Sequence, residues 1–159
     1  MKIIFLDVDG VLNSIDSEDH IQGCIGIDYS GVKLLREIVD KTGAEIVLVS
    51  SWKRGWHKTG PTSRLAYYLE ARLEQEGLVI MDKTEDDILN RGQGIHNWLS
   101  IHPEVESWIV LDDEIFEDYE QYGCMPRLVK TNFYDGGLKD KHVEQAIALL
   151  GGKLYEKLM

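Results

Sequence analysis

Two aspartates that could do nucleophilic or acid–base chemistry stand one residue apart near the start of the chain. Asp7 and Asp9 follow the apolar run Lys2–Leu6, and Gly10 comes directly after them. Alternate side chains of an extended segment share a face, so the two carboxylates can meet at one site. Gly10 lets the backbone turn tightly there or approach a ligand closely. The spacing therefore predicts a reaction centre or a metal centre.

A second acidic pair, Asp112 and Asp113, follows the apolar run Ser107–Leu111. If this pair converges with Asp7 and Asp9, four carboxylates repel one another strongly in a crevice of low dielectric constant. A hard divalent cation relieves that repulsion, and oxygen ligands with room for water favour Mg²⁺. The sequence predicts a magnesium site that draws on both pairs; the alternative is that each pair only caps a turn at the end of its strand.

The elements that must position these side chains are short strands that alternate with helical patterns. Ser30 is the expected N-cap of the first helix, and Gly43 and Gly151 stand where helices commonly end. The alternation predicts one three-layer, Rossmann-like α/β domain over residues 1–159, with a central, mostly parallel five-stranded sheet covered by helices on both faces. The predicted strands, dense in Val, Ile and Leu as in doubly buried strands, are Lys2–Leu6, Glu45–Val49, Leu78–Met81, Ser107–Leu111 and Arg127–Lys130.

Polar groups follow three of these strands. Asp7 follows the first, Ser50 and Ser51 follow the second, and Asp112 follows the fourth. In open α/β sheets, ligands bind beyond the carboxyl ends of the strands. We therefore expect these groups to lie along one edge of the sheet and to form the site.

Four segments, in order and spacing, resemble the motifs of the haloacid dehalogenase (HAD) superfamily of aspartate-nucleophile phosphatases. Ile3–Asn13, which reads IIFLDVDGVLN, resembles the first motif, and Ser50 or Ser51 after an apolar strand resembles the second. Arg91, at the start of a predicted helix, stands where the family has its third-motif Lys or Arg. Trp108–Asp113, which reads WIVLDD, resembles the fourth.

The resemblance implies a Mg²⁺-dependent phosphomonoesterase that works through an aspartyl-phosphate. Asp7 would attack phosphorus, and Asp9 would protonate the leaving oxygen and then activate water. Mg²⁺ would bind the side chain of Asp7, the backbone carbonyl of Asp9 and the side chain of Asp113, with Asp112 in support.

The resemblance also implies contacts to the phosphoryl group. Ser50 or Ser51 would hydrogen-bond a phosphoryl oxygen, and Ser50 is favoured. Arg91 would neutralise the phosphoryl group or the Asp7 carboxylate. The alternatives are that Arg91 is a surface arginine and that Lys83 is the third-motif residue.

The short connections leave no room for a large cap domain. Between the first motif and the first helix, the segment at about residues 14–28 predicts only a small hairpin flap. An open site can accept a bulky substrate such as a polynucleotide end or a phosphoprotein, or a small metabolite if an oligomer covers it. The sequence leaves the oligomeric state open.

One basic and aromatic segment points toward a class of substrate. Residues 46–69 contain no Asp or Glu, and cationic side chains beside aromatic rings suit single-stranded nucleic acid. The Ser50–Lys53 stretch also resembles HAD domains of RNA repair proteins, which favours a polynucleotide end; the alternative is an ordinary loop and core. The segment contains Lys53, Arg54, Lys58 and Arg64 among Trp52, Trp56, Tyr67 and Tyr68. The expected substrate-binding residues are Gly10, Ser50, Ser51, Trp52, Lys53 and Arg54.

The overall charge makes such local positive charge necessary. The 159 residues include 17 Lys and Arg and 28 Asp and Glu, for a formal charge of −11. An acidic surface repels phosphate backbones and anionic lipids. We expect the acidic runs Asp82–Asp87 and Glu114–Glu120 to be solvated faces. No apolar run approaches the ~20 residues that span a bilayer, and Cys24 and Cys124 show no metal-ligand spacing, so a cytoplasmic protein is expected.

Two other functional classes deserve comparison. A non-catalytic phospho-switch also gathers carboxylates around Mg²⁺, but its phospho-accepting Asp normally lies in the middle of the chain, and it lacks an acid–base group such as Asp9. A sugar-nucleotide transferase that binds metal through an Asp-x-Asp pair needs a nucleotide-binding region too large for 159 residues.

Overall fold

The computed structural model describes residues 1–86 and 89–151. No helix in this described part is long and apolar enough to cross a membrane. The strands are β1 (Lys2–Leu6), β2 (His20–Ile21), β3 (Cys24–Ile25), β4 (Glu45–Leu48), β5 (Ile80–Lys83), β6 (Ser107–Asp112) and β7 (Leu128–Lys130). The α-helices are α1 (Tyr29–Thr42), α2 (Arg64–Glu74), α3 (Arg91–Ser100) and α4 (Asp140–Leu150).

Five of the strands form one parallel sheet in the order β5-β4-β1-β6-β7. β1 lies at its centre, and Ile3–Leu6 are fully buried. This arrangement confirms the predicted α/β class. The prediction for β5 is shifted, because the backbone N–H of Leu78 bonds back to the carbonyl of Leu73 at 3.0 Å. Leu78 therefore belongs to the turn that ends α2, and the strand begins two residues later.

Alternation along β1 divides the core between the two faces of the sheet. Ile4 and Leu6 pack with the apolar residues of α1, α2 and α4. Ile3 and Phe5 pack with α3 and with the loop that follows β6, which contributes the buried ring of Tyr119. Helices thus cover both faces, as the density of apolar residues in the strands predicts.

The predicted helix ends are partly right. Gly43 and Gly151 end α1 and α4 in the left-handed conformation, each with a φ of 72°, which glycine adopts without steric cost. The expected N-cap is wrong, because α1 begins at Tyr29 and its N-cap position is Asp28 rather than Ser30. The Asp28 carboxylate makes no capping bond and instead accepts a hydrogen bond from the hydroxyl of Ser17 at 2.7 Å.

The predicted flap is a two-stranded hairpin formed by β2 and β3. It is fastened to α2 at two points. The phenol oxygen of Tyr68 accepts a hydrogen bond from the backbone N–H of Ile27 at 2.9 Å. The Arg72 guanidinium lies 3.5 Å from the Asp19 carboxylate and over the Tyr68 ring, with 5.1 Å from its central carbon to the ring centroid.

Backbone hydrogen bonds that continue past the strands align their carboxyl ends. The N–H of Val49 bonds to the carbonyl of Leu6, and the N–H of Asp7 bonds to the carbonyl of Leu111, each at 2.9 Å. A polar side chain stands at or just after the end of each strand of the sheet. These residues are Asp7, Ser50, Thr84, Asp112 and Thr131.

Candidate active site

Three carboxylates meet at the carboxyl edge of the sheet. One oxygen from each of Asp7, Asp112 and Asp113 lies within 4.8 Å of the others. Asp7 and Asp112 are buried and Asp113 is half-buried. Three of the four carboxylates that the sequence singles out therefore lie together, whereas the Asp9 side chain stands outside the cluster.

The crowding raises proton affinity within this cluster. Burial, followed by the charge of Asp112, raises the pKa of Asp7 well above its usual range, and Arg91 opposes the shift. Burial and the same Asp112 charge raise the pKa of Asp113 to about 6. One guanidinium thus balances the acidic cluster only in part. Hard carboxylate oxygens that remain crowded in this way fit a hard divalent cation.

Arg91 at the first position of α3 joins the nucleophile candidate to the fourth-motif residue. Its Nη1 lies 3.2 Å from Asp7 Oδ1 and 2.9 Å from Asp112 Oδ2. The guanidinium also stacks on the Phe116 ring, with 4.2 Å to the centroid. Lys83, the alternative third-motif residue, instead donates a hydrogen bond to the backbone carbonyl of Lys53 at 3.3 Å.

The Asp112 carboxylate is held on both oxygens. Its Oδ2 accepts a hydrogen bond from the Tyr119 phenol at 2.6 Å as well as the Arg91 contact, and its Oδ1 accepts from the backbone N–H of Glu114 at 3.0 Å. Burial and the Asp112 charge raise the pKa of Tyr119, so the phenol remains a donor. Sequence reasoning missed Tyr119, because nothing in its local pattern marks it as a partner of Asp112.

The acidic run Glu114–Glu120 is not merely a solvated face. Asp118 accepts hydrogen bonds from the backbone N–H groups of Gly92 and Gln93 at 2.9 and 2.8 Å. These groups lie in the first turn of α3, whose N-H groups have no partner within the helix. Asp118 therefore fixes the start of the helix that presents Arg91.

Gly10 is required where the chain turns away from β1. Its φ of 81° is in the left-handed region, and a Cβ at this position would lie 2.2–2.6 Å from atoms of the Asp113 side chain. The carbonyl of Gly10 accepts a hydrogen bond from Thr131 Oγ1 at 2.5 Å. The glycine thus gives Asp113 its place beside Asp7, and this contact is steric, with no substrate-binding role needed to explain it.

Asp9 is exposed, and two buried donors hold its carboxylate. The side-chain amide of Asn13 donates to Oδ1 at 2.9 Å, and the indole N–H of Trp52 donates to Oδ2 at 3.1 Å. The Trp52 side chain is 3% exposed. The expectation that Trp52 binds substrate directly does not fit this burial, because a base cannot stack on a ring enclosed in the core. Asn13 belongs to the first motif, but its type and spacing gave no role in advance.

The two serines after β4 face different surroundings. Ser50 is buried, and its hydroxyl oxygen accepts a hydrogen bond from the backbone N–H of Trp52 at 3.2 Å, which caps the 3-10 turn Ser51–Gly55. Ser51 is exposed and lines a pocket of about 570 Å³. Arg91 also lines this pocket, so the pocket adjoins the carboxylate cluster.

Lys53 lines the same pocket from a largely buried position. Its ammonium donates to Thr84 Oγ1 at 3.0 Å and pairs with Asp86. Burial lowers the pKa of Lys53, and the bond to Asp86 opposes the shift. The acidic run Asp82–Asp87 is therefore not simply a solvated face: the Asp86 side chain is 4% exposed, whereas Asp87 lies outside the described residues.

The rest of the basic and aromatic segment divides into core and surface. Trp56 is buried and donates its indole N–H to Glu70 at 3.0 Å, and Tyr68 fastens the flap. Tyr67 is 66% exposed. Among the described residues, neither Arg54 nor Arg64 has an ion-pair or hydrogen-bond partner, and both are exposed.

Comparison with known proteins agrees with this geometry. A family model described as the HAD domain in Swiss Army Knife RNA repair proteins matches residues 3–143. No curated protein and no solved structure gives a significant match. The matched range runs from β1 into α4 and includes every residue of the carboxylate cluster. The chain therefore belongs to the family of HAD domains found in Swiss Army Knife RNA repair proteins.

Proposed function

We propose that this HAD-type hydrolase is a Mg²⁺-dependent phosphomonoesterase with Asp7 as its nucleophile. The observation that supports this most directly is the position of Asp7, which stands at the end of the central strand beside Asp113 and in contact with Arg91. A carboxylate that attacks a phosphate dianion needs positive charge nearby. The Arg91 guanidinium supplies one such charge, and the carboxylate cluster supplies ligands for a cation.

In the first half-reaction, an Asp7 oxygen forms a bond to phosphorus while the bond to the ester oxygen breaks. The electron pair of that bond goes to the leaving oxygen, which takes the proton of the Asp9 carboxyl group. Arg91 holds Asp7 Oδ1 at 3.2 Å and so restricts which oxygen can attack. The products of this step are the free alcohol and the Asp7 acyl phosphate.

In the second half-reaction, the Asp9 carboxylate takes a proton from water. The water oxygen forms a bond to phosphorus, and the bond from phosphorus to Asp7 breaks with its electron pair returning to the carboxylate. One phosphate monoester and one water thus give one alcohol and one inorganic phosphate. Asp9 gives up a proton in the first step and takes one in the second, so the same group acts first as an acid and then as a base.

Asp7 and Asp113 are the side chains we assign to Mg²⁺, with Asp112 in support. Asp112 already has both oxygens in hydrogen bonds, whereas Asp113 is half-buried and faces Asp7. The ion would supply positive charge against the phosphoryl oxygens and the crowded carboxylates.

Ser50 is the serine we assign to a phosphoryl oxygen. Its hydroxyl oxygen accepts a hydrogen bond from the backbone N–H of Trp52, and its hydroxyl proton is left to donate to the phosphoryl group.

Turnover of a chromogenic phosphate ester tests the reaction. We expect multiple turnovers that require Mg²⁺, no turnover by Asp7→Asn, and a rate lowered by about 10²–10⁴-fold for Asp9→Asn, the usual contribution of general acid–base catalysis. Asp16→Asn, on the exposed surface of the flap segment, is the matched control. Wild-type turnover in Asp7→Asn would reject the nucleophile, and a single phosphorylation without turnover would identify a phospho-switch.

For the substrate, we propose the phosphorylated end of a polynucleotide. Three features support it: Arg54 and Arg64 have no partners among the described residues, Tyr67 is exposed, and Arg54 lines the pocket beside Arg91. Unpaired guanidinium groups and an exposed aromatic ring are the groups that bind a single strand. The family description, which names RNA repair proteins, agrees with this class.

A substrate panel tests the class. We expect higher kcat/KM for 5′- or 3′-phosphorylated oligonucleotides than for sugar phosphates and phosphopeptides of the same phosphate content. Activity confined to sugar phosphates or to phosphopeptides would reject the polynucleotide and indicate a metabolite or phosphoprotein phosphatase.

A further inference from the structure

The Asp9 carboxylate is unusual because it is exposed and yet held on both oxygens. Its partners, Asn13 and Trp52, come from different elements, one from the loop after β1 and the other from the 3-10 turn after β4. A surface carboxylate ordinarily hydrogen-bonds to water and adopts several rotamers. Holding it in one orientation costs side-chain entropy, and an exposed group gains little stability in return.

The two donors are themselves fixed. The Asn13 side chain is 1% exposed, and its oxygen accepts a hydrogen bond from the backbone N–H of Gly10 at 2.8 Å, while its nitrogen also reaches the carbonyl of Ile25 in the flap at 3.3 Å. The Trp52 indole lies in the core against Tyr68, with ring centroids 6.3 Å apart. Neither donor can swing away from Asp9 without disturbing buried packing.

The chemistry of the donors also matters. An indole N–H and an amide NH₂ can only donate, so neither can take the proton that Asp9 exchanges with substrate or water. Each occupies one lone pair of one carboxylate oxygen and leaves the others for that exchange. The two bonds therefore orient the group without competing for its proton.

We propose that Trp52 is a positioning residue, whose indole N–H, together with the Asn13 amide, aims the Asp9 carboxyl group at the ester oxygen of a substrate bound at Asp7. This inference rests on the proposed function of Asp9, and it gives Trp52 a role other than stacking on substrate. The bond that breaks and the proton that moves are those of the first half-reaction above.

Trp52→Phe removes the N–H and keeps an aromatic ring in the core. Proton donation matters most when the leaving oxygen is a poor leaving group. We therefore expect kcat/KM for an alkyl phosphate to fall about 10–100-fold, part of the roughly 10²–10⁴-fold that general acid–base catalysis contributes, and kcat/KM for 4-nitrophenyl phosphate to fall less than about 3-fold. Trp56→Phe is the matched control, because Trp56 is equally buried and donates to Glu70, away from Asp9. We expect this control to change kcat/KM for the two substrates by the same factor.

A second measurement separates positioning from folding. In the Asp9→Asn background, Trp52→Phe should leave the ratio of the two kcat/KM values unchanged, whereas a packing defect would lower both in either background. If Trp52→Phe does not fold, Asn13→Ala removes the other donor and should give the same substrate-dependent loss.

The possible failures are distinguishable. Absence of wild-type turnover rejects the phosphatase itself, and turnover that survives Asp7→Asn rejects the nucleophile; either result removes the role of Trp52 as well. Wild-type turnover with an equal loss on both esters in Trp52→Phe, or a substrate-dependent loss in Trp56→Phe, overturns the positioning role alone.

Discussion

The carboxylate cluster and two exposed arginines of the basic and aromatic segment (residues 46–69) satisfy their charges in opposite ways. In the cluster, Asp7, Asp112 and Arg91 are buried and bonded to one another. In the basic segment, Arg54 and Arg64 are exposed and have no partner among the described residues. Asp7 and Asp112 thus share a counter-charge within the protein, whereas neither Arg54 nor Arg64 has one in the part of the chain that the structure describes.

The contrast follows from the cost of burying charge. A buried ion without a partner costs several kcal/mol, so a reaction centre inside the sheet edge must supply its own counter-charges. An exposed guanidinium keeps its hydration and needs no partner in the fold. The buried cluster therefore carries a counter-charge of its own, whereas the exposed arginines rely on hydration.

The largest expected effect is the removal of Arg91. Arg91→Ala leaves two buried carboxylates without their guanidinium, so we expect a loss of about 3–5 kcal/mol in the free energy of unfolding, measured by urea denaturation without metal. Tyr119→Phe, which removes one hydrogen bond to Asp112, should cost about 1.5–3 kcal/mol. Arg54→Ala is the control and should leave stability unchanged. If Arg91→Ala were as stable as the wild type, the carboxylate cluster would not need the Arg91 guanidinium.

A smaller effect follows from the raised proton affinity of Asp113. Its pKa is about 6 in the folded protein against roughly 4 in the unfolded chain, so its contribution to stability is present below pH about 4 and is lost as pH rises through about 6. Without metal at neutral pH, Asp113→Asn should therefore raise Tm by about 2–4 °C, because about 1 kcal/mol of repulsion remains after solvent screening.

Thermal melting at several pH values checks this shift. The advantage of Asp113→Asn should shrink on acidification, and added Mg²⁺ should raise Tm in the wild type more than in the variant. Asp16→Asn, which is exposed on the flap segment, should show neither change. A Tm of Asp113→Asn below that of the wild type at neutral pH without metal would contradict the repulsion.

The smallest expected effect lies in the basic segment. Arg54→Ala should raise KM for a phosphorylated oligonucleotide about 3-fold, a typical value for one exposed ionic contact. The slope of log KM against log salt should fall by about 0.7, the value for one phosphate contact on a single strand. Arg36→Ala, whose side chain pairs with Asp40 and Glu76, is the control of equal charge. An unchanged salt slope in Arg54→Ala would remove this residue from the binding surface.

Local pattern was sufficient for the number of strands in the sheet, though not for the start of β5, and for the convergence of three of the four carboxylates. The sheet is built from short apolar runs, and its parallel order brings Asp7 and Asp112 to one edge whatever the connecting loops do. The placement of Arg91 was also within reach, because the resemblance to the HAD motifs implies an Arg or Lys at the start of a helix, and α3 begins at Arg91.

Long-range partners could not be predicted in the same way. Tyr119 reaches Asp112 from a loop without regular periodicity, and Lys53 meets Asp86 from 33 residues away. Trp52 shows the limit most clearly. An aromatic residue beside lysine and arginine fits a substrate surface as well as a core, and only its 3% exposure and the direction of its N–H separate the two interpretations.

The backbone at Gly10 lies so close to the Asp113 side chain that position 10 has no room for a Cβ, although the two residues are far apart in the sequence. Because a Cβ at position 10 would overlap the carboxylate at position 113, alanine here would displace Asp113 from the carboxylate cluster even though no residue of that cluster has been altered. The residue at position 10 therefore constrains the course of the loop that carries position 113.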